Sequence, residues 1–404
     1  MISRRAALAA GLAAGIAGTS RARAVNLPGV TATTLKIGQT EPYSGPASSY
    51  GNIGKTEVTF FDRMVNEQGG VANHKIDLIS LDDGYSPPRT VEDVRRLVEQ
   101  DQVAFLFQNL GTPCNSAIVE YVTRNKIPHL FVGSGASKWS DYNKYPWTMG
   151  WQPNYRTEAQ IYTKYVLQNV KDPKIAILYQ NDDFGKDYPT GVRDVLAKDW
   201  DKLVTRSVSY ETTDPTIDSQ IAELQSSGAN VLLVAAIPKF AAQSIRKVHD
   251  LEWKPTFIMS NVSISVGSVL RPAGPQNAIG MLSTGYLKDP TDPGWDKDPG
   301  LNEWRAFMTK YMPGTDPTDA QYVFGYGISL TMLQVLKQCN GDFSRENVMH
   351  QAESLHDYVC PVLLPGIKIN TSATDHRPIK AMQLMRWTGK TWERFGNLIE
   401  GANV

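Results

Sequence analysis

Strand-length apolar runs alternate with helix-length segments along most of the chain, and this pattern limits the possible folds more than any other feature. The runs "LKIGQ", "KIDLISL", "VAFLF" and "PHLFV" are strand candidates, and helices are predicted between them at 51–68, 88–100 and 113–124. Strands that alternate with helices are typical of βαβ units, whose parallel strands are covered by helices on both faces. The sequence therefore predicts an α/β protein.

The alternation occurs twice, with a break near residues 150–153. It resumes with "KIAILYQ", "KLVTRSVSY", "NVLLVAA" and "TFIMS", each followed or preceded by a predicted helix. A further strand, three helices and the runs "AMQLMRW" and "WERFGNLI" indicate that the chain returns to complete both halves. A length of 404 residues suits two similar lobes, and several crossings between them would form a hinge. The predicted bounds are 25–150 plus about 284–362 for the first lobe and 151–283 plus about 363–404 for the second.

The first 24 residues have the pattern of an export signal. "MISRRAALAAGLAAGIAGTSRARA" begins with two arginines, continues with a short apolar stretch and ends in an A-x-A type cleavage site, which predicts cleavage after Ala24. The Ser3-Arg4-Arg5 sequence is also compatible with the twin-arginine route. A membrane anchor is the alternative, but the apolar stretch is shorter than the roughly 20 residues that a span needs. We therefore expect a mature protein in the periplasm.

Charge and cysteine content exclude several classes of partner. Basic and acidic residues are equal in number, 41 each, and no basic stripe is present, so neither nucleic acid nor an anionic membrane is expected as the principal partner. Three cysteines remain, and Cys339 and Cys360 lie on either side of a predicted helix, where a disulfide is one outcome and buried thiols are the other. Cys114 would then be free.

Catalytic and cofactor motifs are absent from the sequence. It has no G-x-G-x-x-G after the first strand, no P-loop and no G-x-S-x-G. The six histidines are scattered, without metal-ligand spacing. The Asp82–Asp83 and Asp182–Asp183 pairs follow strands, where aspartate commonly caps turns and helices. We expect no enzyme activity, no metal and no cofactor.

The ends of the predicted strands carry the side chains of a small-molecule site. "EPYSGPASSYG", "QNLGTPCNSA", "GSGASKW" and "QNDDFGKDY" supply hydroxyls, amides, glycines and aromatic rings with little unpaired charge. Ligands of open α/β sheets bind outside the carboxyl ends of strands, and such a lining suits an apolar body with one polar end. In "GTP", Pro113 fits the first helical turn and makes Thr112 the helix cap, whose free N–H groups could face an anion. The alternative is that Thr112 caps only its own helix.

These motifs and their order resemble the type I periplasmic substrate-binding proteins of ABC importers, in the branch of the leucine/isoleucine/valine-binding protein. The resemblance rests on "LKIGQTEPYSGPASSYG", "NEQGGV", "LDDGYSPPRTVEDVRRLVEQDQVAFLF" and "NDDFGKDY" and covers nearly the whole mature chain. It implies two Rossmann-like lobes in a clamshell, joined by a three-segment hinge, with the solute bound between the lobes. It also implies a monomer that delivers its solute to an ABC permease.

The family's ligand contacts transfer to this sequence position by position. The ring over the ligand falls on Tyr50, the hydroxyl that holds the ligand carboxylate on Thr112, and the aromatic residue of the second lobe on Phe184. The complete set of implied contacts is Tyr43, Tyr50, Thr112, Gly133, Ser134, Gly135, Phe184, Asn261 and, by a looser match, Tyr322. Core packing is the alternative for Tyr322.

Asn261 departs from the family pattern. Amino-acid binders of this branch use an acidic residue there to hold the ligand ammonium, and "SNVSIS" supplies an amide instead. Because a buried ammonium without a counter-charge is costly, the sequence favours an aromatic or branched aliphatic carboxylate over a branched-chain amino acid. A ligand-sensing receptor subunit with the same clamshell is the alternative function, and a hydrolase-type enzyme the third.

Overall fold

Two β-sheets organise the structure, a computed structural model that describes residues 27–401. The first sheet has the strand order β2-β1-β3-β4-β5, and all of its strands are parallel. Its strands are β1 (Thr34–Glu41), β2 (Lys75–Asp82), β3 (Leu106–Phe107), β4 (His129–Val132) and β5 (Thr148–Gly150). The predicted export segment lies outside the described residues.

The second sheet has the order β12-β11-β10-β9-β8-β6-β7, with β13 paired to β11. Strands β6 to β10 are parallel, whereas β11 is antiparallel to both β10 and β12. Its strands are β6 (Ile175–Gln180), β7 (Val204–Tyr210), β8 (Val231–Ala235), β9 (Thr256–Met259), β10 (Leu282–Gly285), β11 (Ala381–Trp387), β12 (Trp392–Arg394) and β13 (Ile399–Glu400). Strands β6 and β8 in the middle of this sheet are almost continuously apolar and buried, as expected for strands with helices on both faces.

The helices fall close to their predicted positions. They are α1 (Gly51–Val58), α2 (Pro87–Arg95), α3 (Thr112–Arg124), α4 (Tyr155–Asn169), α5 (Asp183–Leu196), α6 (Trp200–Leu203), α7 (Asp218–Ser226), α8 (Pro238–Asp250), α9 (Arg271–Ala273), α10 (Pro299–Tyr311), α11 (Ala320–Gln338) and α12 (Arg345–Ala352). Helix α1 continues as a π-helical stretch, Thr59–Val65. In the run "GIKINTS", Ile369 forms an isolated bridge with Tyr358.

Helix α11 packs against α1 and is buried along most of its length. Gly325 permits this close approach, because a Cβ atom there would lie only 2.8 Å from the Ile53 carbonyl oxygen and 2.8 Å from Cβ of Thr56. The contact brings the N-terminal ends of both helices to the same side of the first lobe.

The chain passes between the lobes three times: after β5, after β10 and before β11. Strand β10 ends at Gly285, and the following segment bonds to the first lobe's later residues, since Leu364 N–H donates to the Tyr286 carbonyl at 2.8 Å. His376 Nδ1 lies 2.9 Å from the Thr148 carbonyl of β5, so the chain stays beside the first sheet beyond the predicted bound near 363. The other predicted residue boundaries of the two lobes stay predictions.

The three cysteines are buried and unpaired in the structure. Of the two outcomes expected for Cys339 and Cys360, the structure therefore shows buried thiols and not a disulfide. Between residues 27 and 401, the structure contains no helix with the length and apolar character that crossing a bilayer requires.

Candidate functional site: a cavity between the lobes

A cavity lies between the two lobes, at the carboxyl ends of the central strands. Its position is the one expected for ligands of open α/β sheets. The residues that line it are Tyr50, Ile53, Leu110, Gly133, Gln152, Tyr155, Asn261, Val262, Ile264, Ser265, Thr284, Gly285, Tyr286, Leu287, Lys288, Asp289, Ala320, Gln321, Phe324 and Met385. Most of this surface is apolar.

Four aromatic rings form much of the wall: Tyr50, Tyr155, Tyr286 and Phe324. Tyr50 lies just before α1, and its hydroxyl donates to the Val262 carbonyl of the second lobe at 3.1 Å. Burial raises the pKa of Tyr50 well above its usual value, so the phenol stays neutral and remains a donor. The Tyr50 ring therefore covers the cavity and also connects the lobes.

Other hydrogen bonds cross between the lobes. Asp187 of α5 accepts from the backbone N–H and the hydroxyl of Ser137, both at 2.7 Å. Asp319 accepts from the Ser265 hydroxyl at 2.8 Å, from the opposite side of the cleft. The structure thus has the two lobes closed over the cavity.

Glu158 of α4 lies behind the cavity wall in the second lobe and is fully buried. Its carboxylate accepts from the hydroxyls of Tyr162 and Tyr188, from the Thr284 hydroxyl at 3.1 Å and from the Asn261 backbone N–H at 2.8 Å. Burial raises the pKa of Glu158, and these hydrogen bonds oppose the shift. The chain's own donors thus satisfy this carboxylate.

Asp289 lies in the segment that follows β10 and lines the cavity directly. Its Oδ1 accepts from the backbone N–H of Thr291 at 2.7 Å and from the hydroxyl of the same residue at 2.6 Å. Burial raises the pKa of Asp289, and the charge of Asp292 adds to this effect. Sequence reasoning missed this carboxylate, although its place soon after a strand end was a usable signal.

Of the nine predicted contacts, the structure places Tyr50, Gly133 and Asn261 in the lining. A Cβ atom at Gly133 would lie 2.6 Å from Nε2 of Gln108, so glycine is needed there for close packing of the loop. Tyr50 and Asn261 face the cavity from opposite lobes. Their contact with a solute stays a prediction.

Thr112 and Ser134 are not part of this lining. Their hydroxyls lie 2.6 Å apart, and Ser134 Oγ also accepts from Trp139 Nε1 at 2.8 Å. The Tyr85 ring packs on Gly111 so closely that a Cβ atom there would lie 2.6 Å from Cε2 of the ring. Ser134 and Gly135 instead line a separate small cavity beside the crossing segments.

Phe184, Tyr43 and Tyr322 also lie outside the lining. Phe184 packs edge-on against Tyr155, with ring centroids 4.8 Å apart, and so supports a ring that does line the cavity. The Tyr43 hydroxyl lies 2.5 Å from Ser80 Oγ. Tyr322 is buried next to Gln321, which lines the cavity in its place, and burial raises the pKa of Tyr322 to about 12.

The expectation that the cleft lacks a carboxylate needs correction. Asn261 does stand at the expected position, but its backbone N–H contacts Glu158, and Asp289 supplies a second carboxylate from the opposite wall. The reason is topological: Glu158 comes from a helix and Asp289 from a crossing segment, so neither could be aligned with the family's acidic position. The argument from Asn261 against an amine-bearing solute therefore loses its premise.

The other lining residues that sequence reasoning missed are mostly on crossing segments or beside predicted residues. Gln152 and Tyr155 lie in "GWQPNY", and Tyr286 directly follows β10. Gln321 and Phe324 flank the predicted Tyr322 on α11. In the described part of the chain, no cluster of His, Cys, Asp or Glu has the arrangement to hold a metal ion.

A family model described as periplasmic binding protein matches residues 34–391. The chain belongs to this family. The family is of the solute-binding type, and its members include proteins of ABC transporters.

Known proteins that resemble the chain differ in what their names say they bind. Leu/Ile/Val-binding protein homolog 7 of Brucella abortus is 22% identical over 324 residues, which are 76% of this chain and 78% of that protein. A branched chain amino acid ABC transporter protein of Thermus thermophilus, solved with bound valine, has a TM-score of 0.82 at 13% identity and covers 92% of this chain and 98% of its own. A fatty acid ABC transporter substrate-binding protein of Thermomonospora curvata has a TM-score of 0.76 at 19% identity, covering 92% and 94%. These structures confirm the type I clamshell fold.

Proposed function

We propose that this protein is an extracytoplasmic solute-binding protein that captures a small solute with an aromatic or branched aliphatic body and delivers it to an ABC permease. The observation that carries this proposal is the largely apolar cavity between the lobes. Its wall of four aromatic rings suits an apolar body. Export to the periplasm with cleavage after Ala24 is part of the proposal.

Capture and release would follow from opening and closing of the lobes. A solute that contacts both walls binds the closed form better than the open one and so shifts the population toward closure. The bond from Tyr50 to Val262 and the bonds from Ser137 to Asp187 form only when the lobes meet. Closure would thereby create the surface that the permease recognises.

The predicted carboxylate end is not retained in this proposal. Thr112 was its assigned partner, and the hydroxyl of Thr112 is bonded to Ser134 outside the cavity. The side-chain amides of Gln152 and Asn261 line the cavity. Because each amide has a donor and an acceptor, these residues could bind a polar end that either donates or accepts hydrogen bonds.

A thermal-shift screen followed by titration calorimetry tests the proposal. The screen contains amines, amides and acids on phenylpropyl and methylpentyl bodies, together with the branched-chain and aromatic amino acids. We expect at least one compound to stabilise the protein and to be recovered unchanged. Tyr50→Ala should weaken its binding by more than about tenfold, because the ring and its bond across the cleft are lost together. Tyr165→Ala is the matched control, since that ring packs on Phe395 outside the cavity.

Two outcomes would contradict the proposal. One is that no compound binds with an affinity that depends on Tyr50. The other is turnover of a bound compound, which would favour an enzyme. Deletion of the gene should also lower cellular uptake of the compound that binds; unchanged uptake would overturn the transport role.

A further inference from the structure

Two carboxyl groups lie together in the interior of the first lobe, outside the lining of the cavity. Glu41 ends β1 and Glu57 is on α1, and both residues are fully buried. The amide of Gln108 lies between them. With its nitrogen turned toward the acids, Nε2 donates to Glu57 Oε2 at 3.1 Å and to Glu41 Oε1. An amide is oriented by its hydrogen bonds, and this orientation gives both ends of the group a partner, so that one nitrogen bridges the two acids.

The two acids have no counter-charge and too few donors. In residues 27–401, neither carboxyl forms an ion pair with Lys, Arg or His. Glu41 Oε2 is buried without a hydrogen-bond partner, and so is Oε1 of Gln39, whose Nε2 bonds to Ser80 Oγ at 3.0 Å. Buried acceptors without donors are costly, and two neighbouring buried charges of the same sign repel each other. A proton on one carboxyl removes a charge and supplies a donor.

The surrounding groups do not offset this charge. Burial raises the pKa of both acids well above the usual value, and for Glu41 the charges of Glu57 and Asp83 raise it further, whereas a hydrogen bond from Gln39 opposes the shift for Glu57. The acidic and phenolic neighbours are Tyr43 after β1, Asp82 and Asp83 at the end of β2, and Asp62 on the π-helical stretch.

The basic residues of the elements packed around the pair point elsewhere or lie far along their elements. Lys55, on α1, is exposed and bonds to the Asn52 side chain, and Arg63 donates to the Tyr311 carbonyl at 2.9 Å. Those at distant ends are Lys75 at the start of β2 and Lys337 in the last turn of α11. The pair therefore stays without a cation in the described part of the chain.

Helix α1 packs directly on the pair. A Cβ atom at Gly54 would lie 2.5 Å from Cγ of Glu41, so glycine is needed for the helix to come this close, and Glu57 belongs to the same helix. Tyr50, just before α1, and Ile53, in its first turn, line the cavity. A change in how α1 packs would thus reach the cavity wall.

We propose that Glu41 and Glu57 hold one proton between them in the folded protein, and that this proton keeps α1 packed against the first sheet. At low pH the pair is protonated and the helix is held. As pH rises the proton is lost, the two charges repel, and the helix loosens. This inference concerns the first lobe alone and goes beyond the proposed function, on which it does not depend.

The sign of the pH dependence follows from proton linkage. A carboxyl whose pKa is raised in the folded state keeps a proton that the unfolded chain, with the ordinary value of 4.5, releases. Stability is therefore largest at low pH and falls as pH rises from 4.5 toward the folded-state value. One proton linked in this way raises the unfolding equilibrium constant about tenfold for each pH unit.

Urea unfolding between about pH 5.5 and 7.5 compares the wild type with Glu41→Gln/Glu57→Gln, which cannot titrate at these positions. Glutamine has nearly the shape of protonated glutamate and supplies a donor, so we expect the double variant to fold. The unfolding constant should rise about tenfold more per pH unit in the wild type than in the double variant. Glu92→Gln is the matched control, because Glu92 is exposed on α2 of the same lobe, and it should keep the wild-type pH dependence.

A second measurement needs only the wild type, in case the double variant folds poorly. Hydrogen exchange gives the protection of each helix after correction for the intrinsic exchange rate. Over the same pH range we expect the protection of α1 to fall more than that of α3, because the proton is lost beneath α1. Treatment with EDTA should leave the stability unchanged.

Three results would overturn the inference. They are an equal pH dependence in the wild type and the double variant, protection of α1 that falls no more than that of α3, and a loss of stability with EDTA in the wild type alone. The last result would mean that the pair holds a metal ion and not a proton. None of them bears on solute binding, which the dependence on Tyr50 decides separately.

Discussion

Glu158 and Asp289 are carboxylates beside the same cavity, and their surroundings differ in one respect. Glu158, in the second lobe, accepts hydrogen bonds from side chains of α4, α5 and β10 and from a backbone N–H that follows β9. Asp289, on the segment after β10, accepts bonds from one nearby residue and leaves an oxygen unused. Burial raises the pKa of both groups. The difference in donors therefore separates a carboxylate that the fold satisfies on both oxygens from one whose hydrogen bonds, among the described residues, use only Oδ1.

The comparison also explains why amino-acid identity alone is a poor guide to a site. Both residues are acidic and close to the cleft, yet the donors around Glu158 come from residues as distant in sequence as Thr284. A sequence shows the acidic residue but not how many of its hydrogen bonds the fold already satisfies.

The largest expected effect is on stability, from Glu158→Ala. This change leaves the Tyr188 hydroxyl and the Asn261 N–H buried without an acceptor, and we expect a loss of about 3 kcal/mol or more in the free energy of unfolding. Glu158→Gln, which keeps one acceptor oxygen, should lose less. Asp289→Ala should change stability by less than about 1 kcal/mol, because it frees only the donors of one partly exposed loop. Urea unfolding followed by circular dichroism measures all three variants.

Equal losses for Glu158→Ala and Asp289→Ala would break the comparison. In that case Asp289 would be a structural group, and its open oxygen would carry no information about the solute.

The fold was largely predictable from the sequence, because strand and helix periodicity is a local property. The alternation predicted the parallel strands of both sheets, and the helix predicted at 113–124 lies at Thr112–Arg124. The run "GIKINTS" has β-branched residues but makes only two isolated bridges, Ile369 with Tyr358 and Ser372 with Asp375, and forms no strand. Strand formation needs a neighbour, and the local sequence does not specify one.

The site was less predictable because it is built by tertiary contacts. Tyr50, Gly133 and Asn261 lie in the lining as the strand-end argument expects. Thr112 was predicted to cap α3, but Gly111 is at the N-cap position and the Thr112 hydroxyl bonds to Ser134. The Tyr85 ring covers Gly111. Asp289 and Tyr286 come from a crossing segment, whose path depends on how the two lobes pack.

Thr112→Val gives an intermediate effect that tests the role of the predicted anion site. Ser134 Oγ accepts from the Ala136 N–H and from Trp139, so its own proton is left for Thr112. Valine would remove that acceptor, and we expect a loss of about 1–2 kcal/mol in stability with unchanged affinity for the solute. Thr112→Ser keeps the hydroxyl and should restore stability. If Thr112→Val lowers the affinity for the solute tenfold or more and Thr112→Ser restores it, Thr112 would instead be a ligand-binding residue.

The smallest expected effect is a pH dependence of closure at Asp187, which contacts Ser137 across the lobes at a distance from both Glu158 and Asp289. Burial raises its pKa from 3.8 to about 6, against the opposing hydrogen bonds from Ser137. Because the pKa is raised in the closed form, this group favours closure most below its ordinary pKa, and the contribution falls as pH rises through about 6. We expect the bound solute's affinity to weaken about threefold more between pH 5 and pH 7.5 in the wild type than in Asp187→Asn, which cannot titrate. Taking the ratio of the two proteins at each pH cancels titration of the solute and of Asp289, which both share. A ratio that does not change with pH would mean that Asp187 is as solvated in the closed form as in the open one.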